Sequence, residues 1–264
     1  MEILLLGSLS LSVGNRRWAV ASKRVGAVLT LLAAAPGSVV TFDRLIDELW
    51  AEQRIANARN ALQANIGRLR KLLQSVTGSD ELVRTVGHGY LLDVPAEAVD
   101  AHRFLVLAET GAELLGHHPA EALPVLERAL GLWRGPALQD AVNSCEGMRC
   151  RIQAAHLEER RLTAYEDLTE AKLALRHNRV SIAGLREAAA EHPERERLSE
   201  LLMLALYQEG RQTEALDVFH GARRRLVSDL GLEPGRAMHR VYQAILEQDE
   251  VLGEPRRALG ARIA

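Results

Sequence analysis

The sequence predicts a mainly α protein with a small β part: a mixed N-terminal domain followed by an all-helical one. Three observations carry this. Apolar residues alternate with period two only within residues 3–20 and 82–92. Between those stretches they recur at helical spacing. From Asp100 onward, Pro119, Gly135-Pro136, Pro193, Gly210, Gly231 and Pro234-Gly235 punctuate helical runs of about 12–20 residues. A chain of 264 residues is long for one simple domain, and its 47% hydrophobic and 26% charged residues suit a globular protein with a sizeable core.

In chain order, Leu9, Leu11 and Val13 alternate with Ser10 and Ser12, Gly14-Asn15 signals a turn, and Trp18 and Val20 resume the alternation. This predicts a hairpin or small antiparallel sheet. Val25, Val28, Leu29 and Leu32 then form one helical stripe that Pro36-Gly37 ends. Thr41 is placed to cap a second helix, striped by Phe42, Leu45, Ile46, Leu49 and Trp50. A third helix is expected from about Asn57 to Gln74. At about 100° per residue Leu62, Ile66, Leu69 and Leu73 cluster on one side, with Asn60, Ala64, Gly67 and Lys71 nearly opposite and Arg68 beside them. Residues 82–86 and 90–92 read as strands around Gly87-His88-Gly89. In the helical half, Leu202, Leu206, Ala215, Phe219 and Ala222 match a 34-residue helix–turn–helix repeat. Ala122, Leu126, Ala129, Ala183 and Ala190 echo it more weakly. Residues 251–264 are expected to form a loosely ordered tail. The domain boundaries are therefore 1–95, 96–250 and 251–264.

Composition excludes several classes. Val25 to Ala35 is the longest apolar run and is too short to span a bilayer, so no membrane partner is expected. Met1-Glu2-Ile3 lacks the basic start of a secretory signal, and Cys145 and Cys150 alone make neither a disulfide scaffold nor a zinc site. A cytoplasmic, reducing location follows, with the two cysteines read as ordinary thiols. The nine histidines form no His-Glu-x-x-His pair, and no Gly-x-Ser-x-Gly elbow or phosphate-binding loop is present. Catalysis, a cofactor and a metal are not expected. The net charge of −2 hides an asymmetry: residues 53–79 carry Arg54, Arg59, Arg68, Arg70 and Lys71 and no acid. A helix made only for solvent would more often carry Glu–Lys pairs; a local cationic patch matters to phosphate binding more than the whole-chain sum does.

The order of residues 1–95 resembles the OmpR-type winged helix-turn-helix. The carriers are Phe42-Asp43-Arg44-Leu45-Ile46-Asp47-Glu48-Leu49-Trp50, Ala58-Arg59-Asn60-Ala61-Leu62-Gln63, Gly67-Arg68-Leu69-Arg70-Lys71-Leu72-Leu73 and Leu82 to Tyr90. The second half carries Asp100-Ala101-His102-Arg103-Phe104, Ala129 to Leu138, Met203 to Leu216 and Leu230-Gly231-Leu232-Glu233-Pro234-Gly235. Together these resemble the Streptomyces antibiotic regulatory protein family, in which a winged helix precedes an all-α, TPR-like bacterial transcriptional activator domain. Three departures stand out. The turn from Ala51 to Ala56 lacks the Gly and Pro that family members often have, Ala64 is smaller than the side chain usual there, and the ATPase module of larger members is absent.

The resemblance implies a nucleoid-associated activator that binds direct repeats of double-stranded DNA, as a homodimer or side-by-side oligomer, and contacts RNA polymerase holoenzyme with its sigma factor. From residue chemistry, the third helix would present Asn60, Ala64, Asn65, Arg68 and Lys71 to the major groove. Arg68 suits a guanine edge, and Asn60 or Asn65 an adenine. Ala64 and Gly67 admit close approach. Arg54, Arg59, Arg70 and Lys71 suit phosphates. Arg84, Thr85 and His88 are the candidates in the wing. The rival reading is a helical-repeat interaction scaffold whose winged helix does not bind DNA.

Overall fold

A computed structural model describes residues 1–51, 57–79, 81–176 and 180–249. The chain divides into two compact units, residues 1–109 with 128–162, and residues 110–127 with 163–264. The first unit thus extends past residue 95 and takes in part of the helical half. Arg54 and the 251–264 tail lie outside the described residues.

The first unit opens with an antiparallel sheet, β1 (Glu2–Leu4), β2 (Ser10–Val13) and β3 (Arg16–Ala19), in that order. Leu11 pairs with Trp18 across the turn that Gly14 makes with φ 57°. Helix α1 (Lys23–Ala33) follows; Ser22 caps it by accepting the Val25 N–H, and every residue from Val25 to Ala33 is buried. The predicted stripe was therefore narrower than the buried surface, since α1 is covered all round after its first turn.

A short strand, β4 (Val39–Thr41), precedes α2 (Phe42–Trp50), whose Thr41 cap accepts the Arg44 N–H at 3.3 Å as the sequence suggested. Three residues hold too little alternation to declare a strand; β4 forms because β6 offers it a partner. α3 (Ala58–Thr77) ends at Gly78 in the left-handed conformation that glycine favours. β5 (Val83–Val86) and β6 (Gly89–Leu92) complete a second sheet in the order β4-β6-β5. Leu62, Ile66, Leu69 and Leu73 of α3 are buried to 1% exposure or less, the side that faces the core.

The sequence predicted a solvent face on the first sheet, but Ser10 is buried with its hydroxyl unpartnered, and Ile3, Leu4, Leu5 and Leu6 are all buried. The reason is that residues 96–109 and 128–162 share this core. Ile3 bridges to Val99 and Leu6 to Ala137. The Asp100 carboxylate, 1% exposed, accepts the backbone N–H of Leu5 (2.6 Å) and Leu6 (3.2 Å) and pairs with Arg134 at 3.2 Å. Burial pushes this carboxyl above its ordinary value, while the two amides and the guanidinium pull it back. Arg134 also donates from its backbone to Leu6, Leu138 to Leu5, and Leu9 donates to Asp140 at 2.6 Å. Asp100 and Arg134, both within stretches that carried the family resemblance, are thus structural. Trp133 packs edge-on to Phe104 at 5.1 Å, under the Arg161 guanidinium.

Helices α4 (Asp100–Leu115), α5 (Pro119–Leu130) and α7 (Arg149–Ala174) run through the unit boundaries, and α6 (Gln139–Val142) belongs to the first unit. The second unit contains α8 (Ile182–Glu191), α9 (Glu196–Gln208), α10 (Gln212–Leu230) and α11 (Arg236–Leu246). The repeat pattern holds in α9 and α10, where Leu202, Leu206, Ala215, Phe219 and Ala222 are buried. It also holds in α5, where Ala122, Leu126 and Ala129 are buried. It fails in α8: Ala183 and Ala190 are exposed, and Leu185 and Ala189 fill the core positions. Phe219 stacks on Tyr242 of α11 at 4.1 Å. No described helix is long and apolar enough to cross a membrane.

Candidate nucleic-acid interface

The fold leaves one long face of α3 uncovered. Arg59, Asn60, Gln63, Ala64, Arg68, Lys71 and Gln74 are exposed along it, and Gly67 is half-exposed. No acid stands between Ala58 and Thr77. Arg68 and Lys71 make no hydrogen bond or ion pair among the described residues, so both charges are available to an outside partner. The side chain of Asn57 does not cap the helix, and no acidic residue occupies its first turn; the amide dipoles there add to the positive field.

Asn65 departs from the expected presentation. It is 5% exposed, its side-chain amide donates to the Ala61 carbonyl at 2.9 Å, and its Oδ1 is buried without a partner. At about 100° per residue Asn65 lies about 40° from Leu69, so it turns inward with the leucine stripe. Gln63 was missed for the converse reason. It lies about 40° from Gly67 on the open side, a position the same arithmetic identifies.

Arg70 is committed within the molecule. Its Nε donates to the Val83 carbonyl at 2.9 Å and its guanidinium to Thr85 Oγ1 at 3.0 Å, which ties α3 to the first strand of the wing. Two of the Arg70 donors and the Thr85 hydroxyl are thus engaged within the molecule. Arg59 lies over the Phe42 ring at 4.9 Å, and Phe42 meets Tyr90 edge-on at 5.0 Å. Burial pushes the Tyr90 phenol up against the opposing pull of Arg70 and Arg59, and so keeps it neutral.

The wing is the β5–β6 hairpin, in register from Val83↔Leu92 to Val86↔Gly89. Gly87 supplies φ 54° at the tip, where His88 is exposed. Gly89 serves a different end, since a Cβ there would run into the Val40 carbonyl oxygen and the Val39 side chain. The Phe42 N–H donates to the His88 carbonyl at 2.9 Å, which fixes the tip to the start of α2. Arg84 is exposed but pairs with Asp93 at 3.1 Å, so only part of its charge faces outward. The arrangement is therefore a helix and a hairpin locked side by side, offering amides, a glycine and unpaired cations on one side. Among the described residues no cluster of three potential metal ligands exists.

Two family models match the chain: "Transcriptional regulatory protein, C terminal" over residues 19–92 and "Bacterial transcriptional activator domain" over residues 99–246. The chain is 42% identical over 258 residues to the transcriptional regulator RedD of Streptomyces coelicolor, covering 97% of this chain and 73% of RedD. It is 34% identical over 256 residues to the regulatory protein DnrI of Streptomyces peucetius, covering 94% and 93%. Among solved structures, Mycobacterium tuberculosis EmbR in complex with a low-affinity phosphopeptide superposes with a TM-score of 0.86 at 30% identity, covering 94% of this chain and 65% of that one.

Proposed function

The chain belongs to the Streptomyces antibiotic regulatory protein family of transcriptional regulators, and on that premise we propose that it is a sequence-specific DNA-binding activator of a secondary-metabolite gene cluster. One observation carries the reading: α3 exposes Asn60, Gln63, Ala64, Arg68 and Lys71 with no acid among them, beside a wing tied to it by Arg70. A helix of this width enters the major groove of B-DNA, and the wing meets the adjacent minor groove or backbone.

Arg68 donates two hydrogen bonds to a guanine edge, and Asn60 pairs with an adenine. Ala64 and Gly67 let the helix backbone approach or a thymine methyl pack. Lys71, Arg59 and Arg54 meet phosphates, which set register without reading sequence. In the wing, Arg84 and His88 reach the backbone, and Thr85 positions Arg70. Two or more protomers lie side by side on direct repeats spaced by one helical turn, about 10–11 bp, so that both α3 helices enter one face. Bound upstream of a weak promoter, they dock RNA polymerase and its sigma factor. The setting is the nucleoid, in the cytoplasm.

The test is a salt titration of the purified full chain against promoter fragments of the cluster it controls, read by fluorescence anisotropy. Four or more phosphate contacts predict that log K falls against log salt with a slope of about −4 or steeper. A shallow slope with weak, sequence-blind binding would instead make the chain an interaction scaffold.

A further inference from the structure

Cys145 and Cys150 take no part in the proposed interface. Both thiols are free and buried, and their sulfurs stand 3.2 Å apart. That is about 1.2 Å longer than a disulfide bond. Cys145 forms part of the wall of a polar cavity of about 480 Å³, lined also by Lys23, Arg24, Ser144, Glu146 and Arg151. The cavity brings solvent, and with it a small oxidant, to the Cys145 residue; the Arg24 guanidinium favours its thiolate, while burial and the Glu48 carboxylate oppose it. The hydrogen bond from Cys150 holds the Cys145 thiol below its ordinary value, and the same bond, with burial, pushes Cys150 up. The two sulfurs are therefore unequal: Cys145 is the nucleophile and Cys150 keeps its proton.

The segment that carries them also grips α2. Glu146 and Gly147 both donate their N–H to the Glu48 carbonyl at 3.0 Å. The Arg149 N–H donates to the Glu48 carboxylate at 3.2 Å, and Glu48 is buried. Arg24 donates to the Leu49 carbonyl and to the Ser144 carbonyl, and pairs with Glu146 at 3.2 Å. A Cβ at Gly147 would stand 2.6 Å from the Glu48 carboxyl carbon, so the fit has no slack. Moving Cys145 toward Cys150 pulls directly on the residues that hold the last turn of α2.

We propose that Cys145 and Cys150 are a reversible dithiol–disulfide site, oxidised by a peroxide that enters through this cavity, and that closing the bond loosens the grip on α2. The Cys145 thiol first releases its proton to water; the thiolate then attacks one peroxide oxygen, the O–O bond breaks, and the departing hydroxide takes that proton back from the solvent and leaves as water. Cys145 becomes a sulfenic acid. The Cys150 sulfur then attacks the Cys145 sulfur as it gives up its proton, the S–O bond breaks, and the oxygen leaves as a second water. Two thiols lose two electrons and one peroxide gains them; a small dithiol reverses the change.

Hydrogen peroxide treatment of the reduced full chain, followed by peptide mapping and hydrogen exchange, tests this. Trypsin cuts after Arg149, between the two cysteines, so a bond joins two peptides that otherwise separate. The expected result is that joined peptide, amide exchange over residues 44–50 faster by roughly fivefold or more, and recovery of both on adding dithiothreitol. Cys150→Ser should give a sulfenic acid trapped by dimedone, with no joined peptide and no change in exchange, and Cys145→Ser should give neither product. Absence of the joined peptide in the unsubstituted chain overturns the proposal, as does a joined peptide with unchanged exchange over α2. DNA is not a component of the experiment, so its outcome is separate from that of the activator reading.

Discussion

Arg68 and Arg70 sit two residues apart on one helix and do different work. Arg68 is unpaired among the described residues on the open face, whereas Arg70 gives two of its donors to Val83 and Thr85. Arg68→Ala should cost about 1–3 kcal/mol of specific DNA binding and relax the preference at one base pair, with the melting temperature unchanged. Arg70→Ala should lower the melting temperature and weaken binding to every sequence alike. Competition binding against an operator and its single-base variants, alongside a melt, separates the two. Asn65 yields a less obvious expectation. Its buried oxygen has no partner, and leaving such a group unsatisfied costs about 1–3 kcal/mol. Asn65→Leu, which removes the unpartnered oxygen and keeps the volume, should therefore hold stability within about 1 kcal/mol of the parent in a denaturant titration and leave DNA affinity unaltered; a tenfold loss of affinity would return Asn65 to the contact surface.

Among the elements, what local chemistry writes into the sequence was legible. The stripe of α3, the cap at Thr41 and the glycine turn of the wing all follow from spacing and residue type. β4 was not, because three residues become a strand only through a partner some 50 positions away. The open face of α3 was legible by angle, and the same angle assigns Gln63 outward and Asn65 inward. The fates of Arg70 and Arg84 were not legible, because their partners depend on where β5 and β6 settle. The wing offers its own test at Gly89. Alanine there must push β6 away from β4, an overpacking that costs about 1–3 kcal/mol. Chemical denaturation should register that loss, and DNA affinity should fall with it because the wing tip moves off the start of α2. Gly87→Ala strains only the turn, since its Cβ would meet nothing, and should cost less.

On the scale of the whole molecule, sequence similarity and packing divide the chain at different places. The family models meet between residues 92 and 99, yet the first compact unit recruits residues up to 109 and again 128–162. The alternation in 3–20 gave no sign of this, because Ser10 and Ser12 look like a solvent face until the residues that cover β1 and β2 are in place. A fragment ending at Pro95 would lose Asp100, Arg134 and Asp140 and expose Leu5 and Leu6. It should melt at lower temperature and less cooperatively than the full chain in circular dichroism, and should aggregate on concentration. If that fragment unfolds in one sharp step at the parent's temperature, the dependence on residues 99–109 and 128–162 is refuted.

The Asp100 latch also sets an order of events during synthesis. The amides of Leu5 and Leu6 wait for a carboxylate 95 and 94 residues downstream, and that of Leu9 for one 131 residues on. At translation rates of about 5–20 residues per second, these groups leave the ribosome roughly five to twenty-five seconds before their partners. During that interval the nascent strand presents unsatisfied backbone to any chaperone or neighbouring chain. Output of active protein should accordingly respond to translation speed across codons 10–140.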